Sequence, residues 1–213
     1  RKVAADIKES VQTHCYDESQ RLFTDNPGNQ VYSQHSNILA ILTDVVPIED
    51  QKEMLDRILT YQEFDEYASS YFSFFLFKAM EKTGSQHLYL DHLEHWHKFI
   101  DMGLTTVGET GFASHDRSDC HAWSAHPAYF LLSMVCGIRP GDIGFNKINI
   151  APSPGNLKSI KATMPHQKGR ISVDYQRKGK RMKAVVVLPP GTSGTWEFEG
   201  NQVQLSEGIN KIN

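Results

Sequence analysis

The chain has 213 residues, 39% of them hydrophobic and 22% charged, with a formal net charge of -3. That is enough sequence for one large or two modest domains, each with a buried core, and the balance excludes a disordered chain. The longest strongly apolar run, Tyr71 to Phe77, falls far short of the roughly 20 residues a membrane-spanning helix needs, so no membrane partner is expected.

Charge is unevenly placed. Residues 1–144 hold 11 Lys and Arg against 21 Asp and Glu, whereas residues 145–213 hold 11 against 4. A step of that kind marks a domain boundary near residue 144. The densest basic cluster, Arg177, Lys178, Lys180 and Arg181, flanks Gly179 and reads as a hairpin tip with solvated charge, so no nucleic-acid partner is expected. The chain opens on Arg-Lys-Val-Ala-Ala-Asp-Ile, without Met or the succession of a signal peptide, and reads as cut from something longer. Cys15, Cys120 and Cys136 are too few and too scattered for a disulfide framework, and they leave the compartment undetermined.

Up to about residue 140 apolar side chains recur at three and four residue steps, which predicts helices. Helices are expected over about 34–42 and 50–59. The clearest helix runs from about Ser70 to Thr83; Phe72, Phe75, Leu76, Ala79 and Met80 mark one stripe, and Tyr71, Phe74 and Phe77 fill the other side. It should be buried on most faces and end at Gly84. About Gln86 to Asp101 carries Leu90, Leu93, Trp96, His97 and Ile100 on one side only, as an outer helix does. Alternation of all-apolar and one-sided helices fits two concentric layers, and a last apolar helix from about Ser124 to Cys136 is expected to end at Gly137. After Pro140 the period changes to two. Ile148 and Ile150, then Ile171, Val173 and Tyr175, the run Ala184 to Leu188, Trp196 and Phe198, Val203 and Leu205, and Ile209 and Ile212 predict short strands of a small antiparallel sandwich or barrel.

The densest polar chemistry lies in Gly103 to Pro127, a connection longer than two helices need. It holds Glu109, His115, Asp116, Asp119, His121, Trp123 and His126. Ser118, Asp119 and His121 have the residue types of a hydrolase triad but stand too close along one loop, and no G-x-S-x-G elbow is present. Cys120 beside His121 is read as a buried, inert thiol rather than a nucleophile. His92, Glu94, His95 and His97 do not share one helical face and form no H-E-x-x-H pattern, so neither a metal nor another cofactor is expected.

TTVGET (Thr105–Thr110), SDCHAWSAHP (Ser118–Pro127) and GIRPGDIGFNKINIAP (Gly137–Pro152) together resemble the bacterial α-L-rhamnosidases, glycoside hydrolase family 78. YSQHSN (Tyr32–Asn37) and YFSFFLFKAM (Tyr71–Met80) are weaker echoes in the same order. The resemblance implies an α+β multidomain fold: the C-terminal half of an (α/α)6 toroid over residues 1–142, then a β-sandwich over residues 143–213. It implies hydrolysis of terminal α-L-rhamnosyl linkages with inversion, acting on a rhamnose-containing oligosaccharide or glycoside, with Glu109 as general base. His121 is similar to a sugar hydroxyl ligand of the family. Trp123 either packs an apolar sugar face or joins the core, and His35 and Phe72, which begin apolar helices, are candidates for the same sugar site beside a core role. The family's acidic motif, which supplies the general acid upstream, has no counterpart here. The chain is therefore expected to lack an N-terminal part of the same enzyme and to be inactive alone. The residues leave the localisation unknown, and the resemblance alone suggests the periplasm or secretion. Two readings stay open: a toroid glycosidase for another α-linked sugar, and a non-catalytic carbohydrate-binding module stacking sugars on Trp196 and Tyr175.

Overall fold

The computed structural model describes residues 2–110 and 118–213. They form two compact units, Arg1–His126 and Pro127–Asn213.

The first unit is helical: α1 (Lys2–Cys15), a two-strand hairpin β1 (Tyr16–Asp17) and β2 (Leu22–Phe23), then α2 (Gln34–Leu42), α3 (Gln51–Thr60), α4 (Ser73–Lys82), a 3-10 helix over Gln86–His92, and α5 (Glu94–Asp101). Ser33 caps α2, its hydroxyl accepting from the Ser36 amide at 3.2 Å. Buried Asn37 accepts from the Phe23 amide at 2.8 Å and donates to the Phe23 carbonyl at 3.0 Å. One satisfied side-chain amide thus fixes β2 to α2.

The expected alternation of helices is present. In α4 every residue from Ser73 to Glu81 is buried or half-buried, and the helix packs against α2 and the 3-10 helix. In α3 burial is confined to Gln51, Met54, Leu55 and Ile58. Gly84, at φ +74°, ends the α4 segment as expected. The stripe of α5 differs from its sequence reading: Trp96 and Phe99 are buried, while Ile100 is 71% exposed. The preceding turns are 3-10, with three residues per turn, so an α-helical phase carried forward from Leu90 drifts before it reaches α5. No helix among the described residues is long and apolar enough to cross a membrane.

The second unit opens with a four-residue helix, α6 (Pro127–Phe130), and a π-helical turn over Leu131–Val135. Eight strands follow: β3 (Ile138–Pro140), β4 (Lys147–Ile150), β5 (Ser159–His166), β6 (Gly169–Lys178), β7 (Arg181–Leu188), β8 (Ser193–Phe198), β9 (Asn201–Leu205) and β10 (Gly208–Ile212). They make two four-stranded sheets, ordered β10-β7-β6-β5 and β3-β4-β8-β9. Inward side chains of both sheets, among them Ile148, Ile171, Val186, Trp196 and Phe198, share one core. The β-sandwich is antiparallel except for β4 and β8, which run parallel. Three strands of the opposite sheet intervene between them, so no hairpin dictates an antiparallel return. Strand β5 carries the weakest sequence signal because Ile160, Ala162 and Met164 are only half-buried on a sheet edge. Trp196 and Tyr175 are 2% and 1% exposed, and the Tyr175 hydroxyl donates to the Cys136 carbonyl at 2.9 Å. Both are core residues, which removes the stacking surface that a binding-module reading of the sandwich requires.

Candidate active site

Three consecutive residues just before or at the start of α4 bring the site together. Ser70 is fully buried, and its hydroxyl reaches the Glu109 carbonyl at 2.7 Å. Tyr71 packs against both His121 and Trp123, with ring centroids 5.7 Å from each. Phe72 packs on His35, with centroids 4.0 Å apart. Every residue picked from the sequence is thus tied to the Ser70–Phe72 strip: Glu109 through its backbone, His121 and Trp123 through Tyr71, and His35 through Phe72.

Glu109 is 8% exposed although it sits on a loop. Its amide donates to the Ser118 carbonyl at 3.0 Å, and two residues back the Val107 carbonyl accepts from the His121 amide at 2.8 Å. These bonds zip the stretch before Glu109 to the stretch around His121. Trp123 is 55% exposed on a 3-10 helix over Ala122–Ala125, so it is not a core residue. His121 is half-buried. His35 stands in the first turn of α2, and its Nδ1 is buried with no hydrogen-bond partner among the described residues.

The sequence assigned no part in the site to Ser70, Tyr71, Ser124 or His126. The Ser124 hydroxyl lies 3.1 Å from that of Ser70, and the Ser124 carbonyl accepts from the Trp96 indole at 2.8 Å. His126 places Nε2 at 2.9 Å from the Ser70 carbonyl, with the rings of Phe74, Phe77 and Trp96 around it. A signal was present: Ser124 and His126 fall inside SDCHAWSAHP, and Ser70 immediately precedes YFSFFLFKAM.

Burial lowers the His126 imidazole from 6.5 to about 4, against a smaller opposite effect of the Ser70 carbonyl. The ring is therefore neutral at pH 7, with Nε2–H donating to Ser70. Between pH 6.5 and 4 the unfolded chain binds a proton that the folded chain refuses, so stability falls as pH falls through that window, by on the order of 3 kcal/mol from this group. Thermal melts of the complete enzyme at pH 7, 5.5 and 4 should show a steeper acid loss than a His126→Gln variant, whose amide keeps the donor. Identical slopes would contradict the assignment.

Cys120 is exposed rather than buried as expected, because it lies on a loop where its amide donates to the Ser118 hydroxyl in a local turn. The stretch His92–His97 lines a shallow cavity of about 270 Å³ through His92, Glu94 and His95, yet no group of three His, Cys, Asp or Glu among the described residues could hold a metal ion. His115 and Asp116 lie outside the described residues.

Layered helices followed by a two-sheet sandwich match a helical-hairpin glycosidase domain and the domain that follows it. Residues 1–135 match the bacterial alpha-L-rhamnosidase 6 hairpin glycosidase domain, and residues 137–211 match the bacterial alpha-L-rhamnosidase C-terminal domain. The chain belongs to the bacterial α-L-rhamnosidase family, and its two units are part of an (α/α)6 toroid and the β-sandwich that follows it. An alpha-L-rhamnosidase of Formosa agariphila is 25% identical over 188 residues, covering 78% of this chain and 20% of the relative. The GH78 family rhamnosidase of Bacillus sp. GL1 superposes with a TM-score of 0.75 at 27% identity, over 92% of this chain and 24% of that one. The Streptomyces avermitilis alpha-L-rhamnosidase, solved in complex with L-rhamnose, shares the fold with a TM-score of 0.71 at 19% identity, over 95% of this chain and 23% of that one. The chain thus spans about a quarter or less of the length of these relatives.

Proposed function

We propose that this chain supplies the general-base half of an inverting α-L-rhamnosidase site. Glu109 accepts a proton from the water that attacks the sugar carbon, and a carboxylic acid from the preceding part of the complete enzyme protonates the leaving oxygen. An inverting pair stands about 6.5–9.5 Å apart, which leaves room for that water. His121 binds a sugar hydroxyl, Trp123 offers its exposed face to an apolar face of the ring, and His35, backed by Phe72, lines the same sugar site. The substrate is a terminal α-L-rhamnosyl group on an oligosaccharide or glycoside.

The observation that carries this reading is the placement of Glu109. It is a loop carboxylate 8% exposed, on a main chain bonded on both sides, in a family whose members are glycosidases.

Two measurements test it. Proton NMR of the first sugar released from an aryl α-L-rhamnoside by the complete enzyme should show β-L-rhamnose before mutarotation; first appearance of the α anomer would refute inversion. Residues 1–213 alone should hydrolyse the same substrate at least about 10²-fold more slowly, the lower bound for one missing acid–base group. Full activity of this chain alone would mean that it contains its own acid.

A further inference from the structure

We infer that Ser70 is a positioning residue for Glu109: a relay of two buried hydroxyls clamps the glutamate's main chain and so sets where its carboxylate stands. The inference rests on the base assignment above and adds the device that holds the base in place.

Proton accounting gives the relay its direction. The Ser70 hydroxyl has one proton and lies 2.7 Å from the Glu109 carbonyl, 3.2 Å from the Gly108 carbonyl and 3.1 Å from the Ser124 hydroxyl. The two carbonyls only accept, and the shorter contact takes the proton. Ser124 must then donate to Ser70. The result is a chain, Ser124 hydroxyl to Ser70 hydroxyl to Glu109 carbonyl, in which each donor polarises the next. Both serines are fully buried, so water does not substitute for either partner.

Ser70 also acts through its backbone. Its amide donates to the Thr110 carbonyl at 3.3 Å, and its carbonyl accepts from His126 at 2.9 Å. One residue thus holds the carbonyls of Glu109 and Thr110, while the Ser118 carbonyl takes the Glu109 amide. The peptide planes on either side of the Glu109 Cα are fixed, one by a side chain and one by the facing loop. A base that must meet a water within hydrogen-bond reach depends on that fixing, since a displacement of about 1 Å costs up to about 10²-fold in rate. Ser70 itself does not reach the sugar, because its hydroxyl is spent on the main chain.

The test is a double-mutant cycle in the complete enzyme, with an activated aryl α-L-rhamnoside. Ser70→Ala should lower kcat about 10-fold with KM within about twofold. In a Glu109→Gln background the same change should lower the residual kcat less than about twofold, because there is no base left to misplace. Ser124→Ala, which removes only the donor behind Ser70, should show the same pattern with a loss of about threefold, and it decides the question if Ser70→Ala does not fold. An equal loss in both backgrounds, or full activity of the serine variants, overturns the positioning role. Failure of the base reading looks different: Glu109→Gln would itself keep the parental rate, whatever the serine variants do.

Discussion

Replacing Glu109 by glutamine in the complete enzyme is expected to lower kcat on an aryl α-L-rhamnoside by about 10³-fold, with KM changed no more than a few-fold. The amide matches the carboxylate in shape but takes no proton from water, so what is removed is general-base assistance, worth about 10²–10⁴-fold. The split between kcat and KM follows because the proton moves only in the transition state, whereas the bound sugar meets the same side-chain shape in both proteins. Position should not confound the result. The Glu109 main chain is held at 3.0 Å by Ser118 and at 2.7 Å by Ser70, and neither bond involves the side chain being changed. The melting temperature should therefore stay close to that of the parent. A variant that keeps its rate would refute the base assignment, and one that loses rate together with fold would relocate Glu109 from the chemistry to the scaffold.

What the sequence made legible, and what it did not, divides along physical lines. Period and composition identified α2 and α4 and the inward strands at Ile148–Ile150, Ile171–Tyr175 and Ala184–Leu188, because a buried face leaves a repeating apolar mark. The phase of α5 was lost because 3-10 turns precede it. Strand β5 was passed over because an edge strand with half-buried inward positions alternates weakly. The parallel pairing of β4 with β8 left no local trace at all, since pairing partners 46 residues apart, such as Asn149 and Thr195, are chosen by topology. In the candidate site Glu109, His121 and Trp123 stood out because they fall in TTVGET and SDCHAWSAHP, the motifs that carry the family resemblance. The residues behind them did not. A serine before a helix reads as a helix start, and only the fold reveals that Ser70 turns its hydroxyl to a carbonyl 39 residues away. Trp123, left open between core and sugar contact, is resolved toward exposure because it rides a short 3-10 helix whose outer side faces solvent. His35 and Phe72 were each expected in the core ahead of the cleft; both are half-buried, and their pairing at 4.0 Å makes them one feature rather than two.

Replacing Gly137 by alanine should damage the sandwich severely, costing more than about 4 kcal/mol, a range reserved for severe packing or backbone conflicts. Gly137 follows the π-helical turn and precedes β3, at φ +75°. An L side chain there carries about 1–2 kcal/mol of left-handed strain, and that part is modest. The larger part is steric: a Cβ would stand 2.2 Å from the Ala151 carbonyl carbon and 2.3 Å from both the Ala151 oxygen and the Pro152 nitrogen. All three are backbone atoms, so no rotamer relieves the clash. Relief requires β3 to part from the end of β4, which breaks the 3.0 Å bond from the Ala151 amide to the Gly137 carbonyl and loosens Ile138 from Ile150 opposite it, two side chains buried in the core. Gly179 gives the control. It has nearly the same conformation, φ +62°, at the hairpin between β6 and β7, but nothing lies within 4 Å of its added Cβ. Gly179→Ala should thus show the strain alone, lowering the melting temperature by ~3 °C, while Gly137→Ala lowers it by ~10 °C or more or abolishes soluble protein. Equal effects of the two substitutions would mean that backbone conformation, and not the approach of Ala151 and Pro152, is what reserves position 137 for glycine.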